Sequence, residues 1–224
     1  MNSLNMRRVY QTGSFLRQRG GACYDDGMEL QTIIFLGPQG SGKGTQVELL
    51  AQFLENNDSA HPTFHFSVGE LLREFGLETG YTEARVHQSL LGGNMQPSFI
   101  SSYLVARFFI RHLEGKEHLI IDGYPRSPEN NVSFDSAMEF YDRKTPTLIY
   151  LTLSDEEAVT RLLKRGRNDD TEEGIRKRLA WTKEQFSTTI EHFQNNPAYR
   201  FIEVDGVGTI EEVHGRVLKA LELA

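Results

Sequence analysis

Gly37-Pro38-Gln39-Gly40-Ser41-Gly42-Lys43-Gly44-Thr45 is the stretch on which the fold turns. An apolar run, Gln31–Leu36 (QTIIFL), precedes it and reads as a buried strand. Thr45–Asn56 follows it as a helix, with Val47, Leu50 and Leu54 at helical spacing. A glycine-rich loop between a strand and a helix, with a lysine inside it, has the context of a phosphate cradle. Glycines let the backbone bend so that successive N–H groups point at anionic oxygens. The helix N-terminus adds the positive end of its dipole. Gly37, Gly40, Ser41, Gly42, Lys43, Gly44 and Thr45 are therefore candidate polyphosphate-binding residues. Lys43 can reach terminal phosphates, and Thr45 is placed to help order Mg2+. The usual signature puts Ser or Thr directly after the lysine; here Gly44 intervenes.

Outward from the loop, strand-like and helix-like segments alternate. Thr63–Phe66, His118–Asp122 (HLIID), Thr147–Leu153 (TLIYLTL) and Tyr199–Val204 (YRFIEV) read as four further strands, with helical stretches between them. Short β-rich apolar runs separated by helices indicate a parallel sheet covered on both faces, an α/β architecture. The chain shows neither an internal repeat nor a low-complexity segment.

The 224 residues, 38% apolar and 25% charged, are ordinary globular composition and ample for a core. The longest apolar runs are a few residues, too short to span a membrane. A lone cysteine, Cys23, excludes a disulfide framework and a cysteine-built metal site. The net charge of −7 argues against nucleic acid and anionic membranes as partners. That charge is uneven. Residues 1–24 hold Arg7, Arg8, Arg17 and Arg19 and no acid, so −7 splits into +4 there and −11 over the rest. Residues 1–27 show no sustained periodicity and read as a flexible basic arm. A transit peptide, or an upstream start before Met28, is the alternative. Residues 28–224 read as one domain.

The string GPxGxGKGTQ, with its extra glycine, resembles the adenylate kinases and their nucleoside monophosphate kinase relatives, and the likeness runs from about Gln31 to the C-terminus. The resemblance implies a P-loop kinase fold: a five-stranded parallel sheet flanked by helices, a helical monophosphate-binding insertion (67–98) and a lid over ATP. It makes the loop residues above an ATP site. Ser67-Val68-Gly69-Glu70-Leu71-Leu72-Arg73 is similar to the family segment that opens the monophosphate helices. Arg73 matches the arginine on the acceptor phosphate, a task suited to a bidentate guanidinium. Gly93 stands at the family spacing from Gly69, and Asn94, Met95 and Gln96 after it match the strip that touches the acceptor base. Asp122-Gly123-Tyr124-Pro125-Arg126 is similar to the family's D-G-F/Y-P-R. It implies that Asp122 orients Mg2+-bound water, that Gly123 lies at the acceptor site and that Arg126 clamps the acceptor phosphate. Asn130 stands where adenylate kinases usually carry a base-reading Gln and UMP/CMP kinases carry Asn; Val68 and Glu70 also lean toward the latter.

Arg161-Leu162-Leu163-Lys164-Arg165-Gly166-Arg167-Asn168-Asp169-Asp170 resembles a short lid from which the central residues are deleted, leaving 165–170 as a vestige. The resemblance makes Lys43, Arg126, Arg165, Arg167 and Arg178 the cations around the transferring phosphoryl group. It stacks Arg161 on the ATP adenine and places the backbone around Val207 against it. Asp169 and Asp170 read as partners of these arginines, and Asp170 with Glu173 as the capping box of the next helix, which runs to about Asn195 with Leu179, Phe186, Ile190 and Phe193 as its apolar stripe. A reduced lid excludes less water, so ADP release without an acceptor is expected. The seven histidines show no metal-ligand spacing. The resemblance thus implies reversible phosphoryl transfer from Mg·ATP to a nucleoside monophosphate, AMP first and UMP or CMP as the alternative, by a cytoplasmic monomer. A nucleotide-binding regulator without turnover is the alternative of another class.

Overall fold

The computed structural model describes residues 28–165 and 171–224; the side chains of Arg165 and Gln185 are also outside the described set. The elements in chain order are β1 (Thr32–Leu36), α1 (Lys43–Asn57), β2 (Thr63–Ser67), α2 (Val68–Leu77), α3 (Tyr81–Leu91), α4 (Ser98–His112), β3 (His118–Asp122), α5 (Pro128–Phe140), β4 (Thr147–Thr152), α6 (Asp155–Arg165), α7 (Glu172–Asn195), β5 (Arg200–Asp205) and α8 (Ile210–Ala220). The strands form the expected five-stranded sheet in the order β2-β3-β1-β4-β5, and every pairing is parallel. Parallel pairing requires crossovers, and the helices supply them.

Alternation along β1 divides the core. Ile34 and Leu36 face one layer, with Leu104, Phe108 and Phe109 of α4, Phe134 of α5 and Phe186 and Phe193 of α7. Ile33 and Phe35 face the other, with Val47, Leu50 and Leu54 of α1 and Val213 and Val217 of α8. All five β1 residues are buried, as a central parallel strand requires. Each fully buried side chain of this size contributes about 1.5–3 kcal/mol. A third, smaller cluster joins Ala158, Val159 and Leu162 of α6 to Ile175 and Leu179 of α7, which fixes the base of the α6–α7 pair.

Two boundaries differ from the sequence reading. The first helix starts at Lys43 rather than Thr45, because Gly42 takes the left-handed conformation (φ +89°) and caps it. The cap of α7 is Thr171, whose Oγ1 accepts the Gly174 N–H at 3.2 Å, one residue beyond the expected Asp170. Asp170 itself, Asp169 and Arg167 lie outside the described residues. A reciprocal capping box does occur, between Thr209 and Glu212 of α8.

The sheet edge where the strands begin is held by two buried polar clusters. Asp58 caps the end of α1 and accepts from the Met28, Ala60 and His61 N–H groups, from His61 Nδ1 (2.8 Å) and from His118 Nε2 (3.0 Å). Burial raises the Asp58 pKa, but the bonds from His61, His118 and Ala60 outweigh it and hold the carboxyl well below the usual range. The ligand-type atoms of Asp58, His61 and His118 lie within 4.8 Å of one another, a grouping that sequence spacing does not reveal. It is not built to coordinate a metal. The Gln31 N–H donates to His118 Nδ1 at 3.0 Å, so the His118 proton sits on Nε2, the nitrogen aimed at Asp58. Beside it, Glu117 and Arg143 form a buried ion pair. Glu117 also accepts the N–H groups of Glu114, Gly115 and Lys116, and Arg143 Nη1 donates to the Glu117 carbonyl at 2.6 Å.

Candidate active site

The opposite sheet edge, where the strands end, gathers the candidate residues. Gly37 leaves β1 at φ +144°, and a Cβ there would lie 2.4 Å from the Leu151 carbonyl oxygen of the adjacent β4. The chain therefore turns only with glycine at this position. The Lys43 ammonium folds back on the loop and donates to the Gly37 and Pro38 carbonyls, each at 2.8 Å. The first turn of α1 has neither a side-chain cap nor an acid, whereas α7 and α8 have both. Its leading N–H groups and dipole are left for an anion. A side chain at Gly42 or Gly44 would meet no protein atom within 4 Å, so the space over the loop is open. Thr45 is exposed on the first turn of α1, and Asp122 ends β3 in register with Phe35 of β1 and Ser67 of β2.

The residues expected at the acceptor site lie beside this loop. Arg73 of α2 lies over the start of its own helix: a Cβ on Gly69 would be 3.3 Å from Arg73 Nη1 and 3.5 Å from Ser67 Oγ. Gly123 has φ +79°, and the Arg126 guanidinium fills the place of its missing side chain, with Nε donating to the Gly123 carbonyl. Burial pushes the Arg126 pKa down, Asp122 raises it and Arg73 lowers it. These three charges thus share one locality, and the two arginines bear on each other as they would on a common anion. Asn94 is exposed and Met95 and Gln96 are half-buried in the strip between α3 and α4. Asn94 is pinned by its N–H to Ser89 O, and a Cβ on Gly93 would lie 3.9 Å from Arg178 Nη1.

Arg161 and Val207, expected on the adenine side, lie near the end of β5. Arg161 of α6 donates through Nε to Glu157 (2.7 Å) and through Nη1 to the Gly206 carbonyl (3.1 Å). Gly206 in turn presses on the phosphate loop: a Cβ there would be 2.8 Å from Thr152 O and 3.3 Å from Ser41 O. Val207 follows, half exposed. Arg178 of α7 reaches the loop itself, with Nε donating to Gln39 Oε1 at 3.1 Å. The Arg165 backbone ends α6; its side chain and Arg167 lie outside the described residues.

Two expected acceptor residues turn away from the cleft. Val68 is 1% exposed and packs in the α4-side core, because α2 starts at the sheet edge with its apolar stripe inward. Asn130 is 2% exposed. Its Nδ2 donates to Ser98 O (3.1 Å), Ser101 Oγ (3.2 Å) and Ser102 Oγ (3.0 Å), and its Oδ1 accepts the Arg126 N–H (3.4 Å). With both amide hydrogens taken by α4, it joins α5 to α4 and braces the Arg126 backbone. The sequence reading also missed Arg216, which staples the Asp205 and Val207 carbonyls from α8. A lone arginine on a helix eleven residues away carries no sequence signal for that contact.

The fold and the site define a nucleoside monophosphate kinase of the P-loop class. Residues 35–198 match the family model described as adenylate kinase. The chain is 30% identical to an adenylate kinase of Nocardia farcinica over 190 residues, covering 84% of this chain and 98% of that protein. It is 35% identical to one of Prochlorococcus marinus over 176 residues (78% and 90%). A Synechococcus adenylate kinase is 33% identical over 194 residues (84% and 97%). The chain belongs to the adenylate kinase family.

Proposed function

We propose that the protein catalyses ATP + AMP ⇌ 2 ADP with Mg2+, as a cytoplasmic monomer. The observation that carries the reading is the grouping of Arg73, Arg126 and Asp122 at the sheet edge beside the uncapped N-terminus of α1. AMP as the acceptor is taken from the relatives, which are adenylate kinases. Of the three residues that leaned toward a pyrimidine acceptor, Val68 and Asn130 are taken up by packing and by α4, and Glu70 is exposed.

In this reading residues 67–98 are the acceptor insertion and 28–224 the kinase domain. Residues 165–170 are a vestigial lid, and the basic arm 1–27 is separate from the chemistry. The loop N–H groups and Lys43 hold the ATP phosphates; Arg161 and the backbone at Val207 hold the adenine. Arg73 and Arg126 hold the acceptor phosphate, with Ser67, Gly123 and the strip Asn94-Met95-Gln96 around the nucleoside. Phosphoryl transfer asks the protein mainly for in-line placement and for positive charge around the transferring group. Lys43, Arg126, Arg178 and, from sequence alone, Arg165 and Arg167 supply that charge. Thr45 and Asp122 fit a hard cation, offering oxygen donors at the rim of an open cradle, and would hold Mg2+ largely through water. Bound there, the ion would supply positive charge against the phosphates.

A coupled assay with ATP and each of AMP, UMP, CMP and GMP tests the proposal. AMP should give the highest kcat/KM. Preference for a pyrimidine monophosphate would overturn the AMP assignment, and ATP binding without turnover of any acceptor would overturn the kinase.

A further inference from the structure

We infer that Gln39 is a positioning residue for Arg178, an uncharged bracket that fixes this guanidinium between the phosphate loop and the acceptor strip. The inference rests on the kinase reading, in which Arg178 is one of the cations at the transferring group. Gln39 sits at the tip of the phosphate loop, and Arg178 lies 139 residues later on α7. Both side chains are half-buried. The Arg178 Nε donates to Gln39 Oε1 at 3.1 Å, while its Cδ and Nη1 pass 4.0 and 3.9 Å from the place of a Cβ on Gly93. One side chain thus ties α7 to the loop and passes close to the strip after α3.

Its root is rigid. Ile175 and Leu179, the residues flanking Arg178 on α7, are buried against Ala158, Val159 and Leu162 of α6. A long arginine has several rotatable bonds, and the Gln39 amide restricts them at Nε, where direction matters. The acceptor is neutral, which is the chemical reason for an amide here. A carboxylate would hold the guanidinium at least as tightly, but it would cancel its charge and repel the phosphates the loop is shaped to receive. An apolar residue would leave the charge but not its aim.

The test uses the full chain with Gln39→Ala, Gln39→Glu, Arg178→Lys and the double variant Gln39→Ala/Arg178→Lys, in steady-state kinetics with ATP and AMP. Gln39→Ala should lower kcat about tenfold with KM for ATP changed less than about twofold, since Lys43 and the loop N–H groups remain. In the Arg178→Lys background, which keeps the charge but lacks the Nε donor, adding Gln39→Ala should change kcat by less than about twofold. Gln39→Glu should lower kcat and also raise KM for ATP. A second readout needs no activity: the Arg178 Nε–H signal in 15N NMR, assigned by its loss in Arg178→Lys, should exchange with water faster in Gln39→Ala. An active wild type whose Gln39→Ala kcat stays within about twofold, or falls equally in both backgrounds, overturns the inference. So does unchanged Nε–H exchange. A wild type inactive toward every monophosphate would instead overturn the kinase reading.

Discussion

Gly123→Ala separates the aim of the proposed acceptor cradle from the stability of the fold. The added methyl would lie 2.2 Å from Arg126 Nη2 and 3.2 Å from its Cζ, at a backbone φ of +79°. The left-handed conformation costs an alanine roughly 1–2 kcal/mol. The clash itself is relieved at low cost in stability, because the obstructing atoms are the far end of a flexible side chain. That same movement breaks the Nε bond to the Gly123 carbonyl and swings the cation away from Arg73 and Asp122. Loss of one preorganised charge contact costs about 2.7–4 kcal/mol in the transition state, a factor of about 10²–10³ in rate. For a domain of this size the strain lowers Tm by only ~2–8 °C. A coupled kinase assay and a thermal melt on one preparation measure both. Gly69→Ala is the graded control: its methyl would stand 3.3 Å from Arg73 Nη1, on helical backbone without positive φ, so its loss should stay below about tenfold. The reasoning fails if folded Gly123→Ala keeps kcat/KM within about threefold of wild type, or if Gly69→Ala loses as much as Gly123→Ala.

Burial drives the His118 pKa below its ordinary value, as do His61 and Arg143, and the facing Asp58 only partly opposes this. The unfolded chain therefore takes up a proton that the folded one refuses, and stability should fall as pH drops below about 6.5. Urea denaturation at pH 7.5 and 5.5 reads it, and an unchanged slope in His118→Asn would remove His118 as the source. Arg143→Leu leaves the Glu117 carboxylate buried without its cation and should cost about 3–5 kcal/mol, against a much smaller loss for the double change Glu117→Leu/Arg143→Leu. Equal losses in the two variants, measured by denaturant titration, would contradict this.

The sheet was legible because each strand is a short β-rich run bounded by turn residues, and the phosphate loop because its glycines have one physical use. Helix starts were less so. Lys43 reads as part of the loop, yet a glycine at positive φ opens the helix before it. The candidate arginines are legible by motif, and the structure places Arg73, Arg126, Arg161 and Arg178 at the ends of the strands. The burial of Val68 and Asn130 is not legible in the sequence, because a motif fixes a position along the chain and not a direction in space. The neighbours that take up the Asn130 amide, Ser98, Ser101 and Ser102, come from another helix. Distance in sequence likewise hid Gln39 from Arg178 and His118 from Asp58.

His118 and Asp122 are the first and last residues of the same strand, about 13 Å apart at a parallel rise of ~3.3 Å per residue. One end is locked to Asp58 and Gln31; the other carries the arginine cradle. The strand is a spacer that joins this foot to Gly123 and Arg126 at its other end, held along its length by β1 and β2. Substitutions at that foot touch no nucleotide, yet they would reach the chemistry as small errors of alignment, lowering turnover before they unfold the chain.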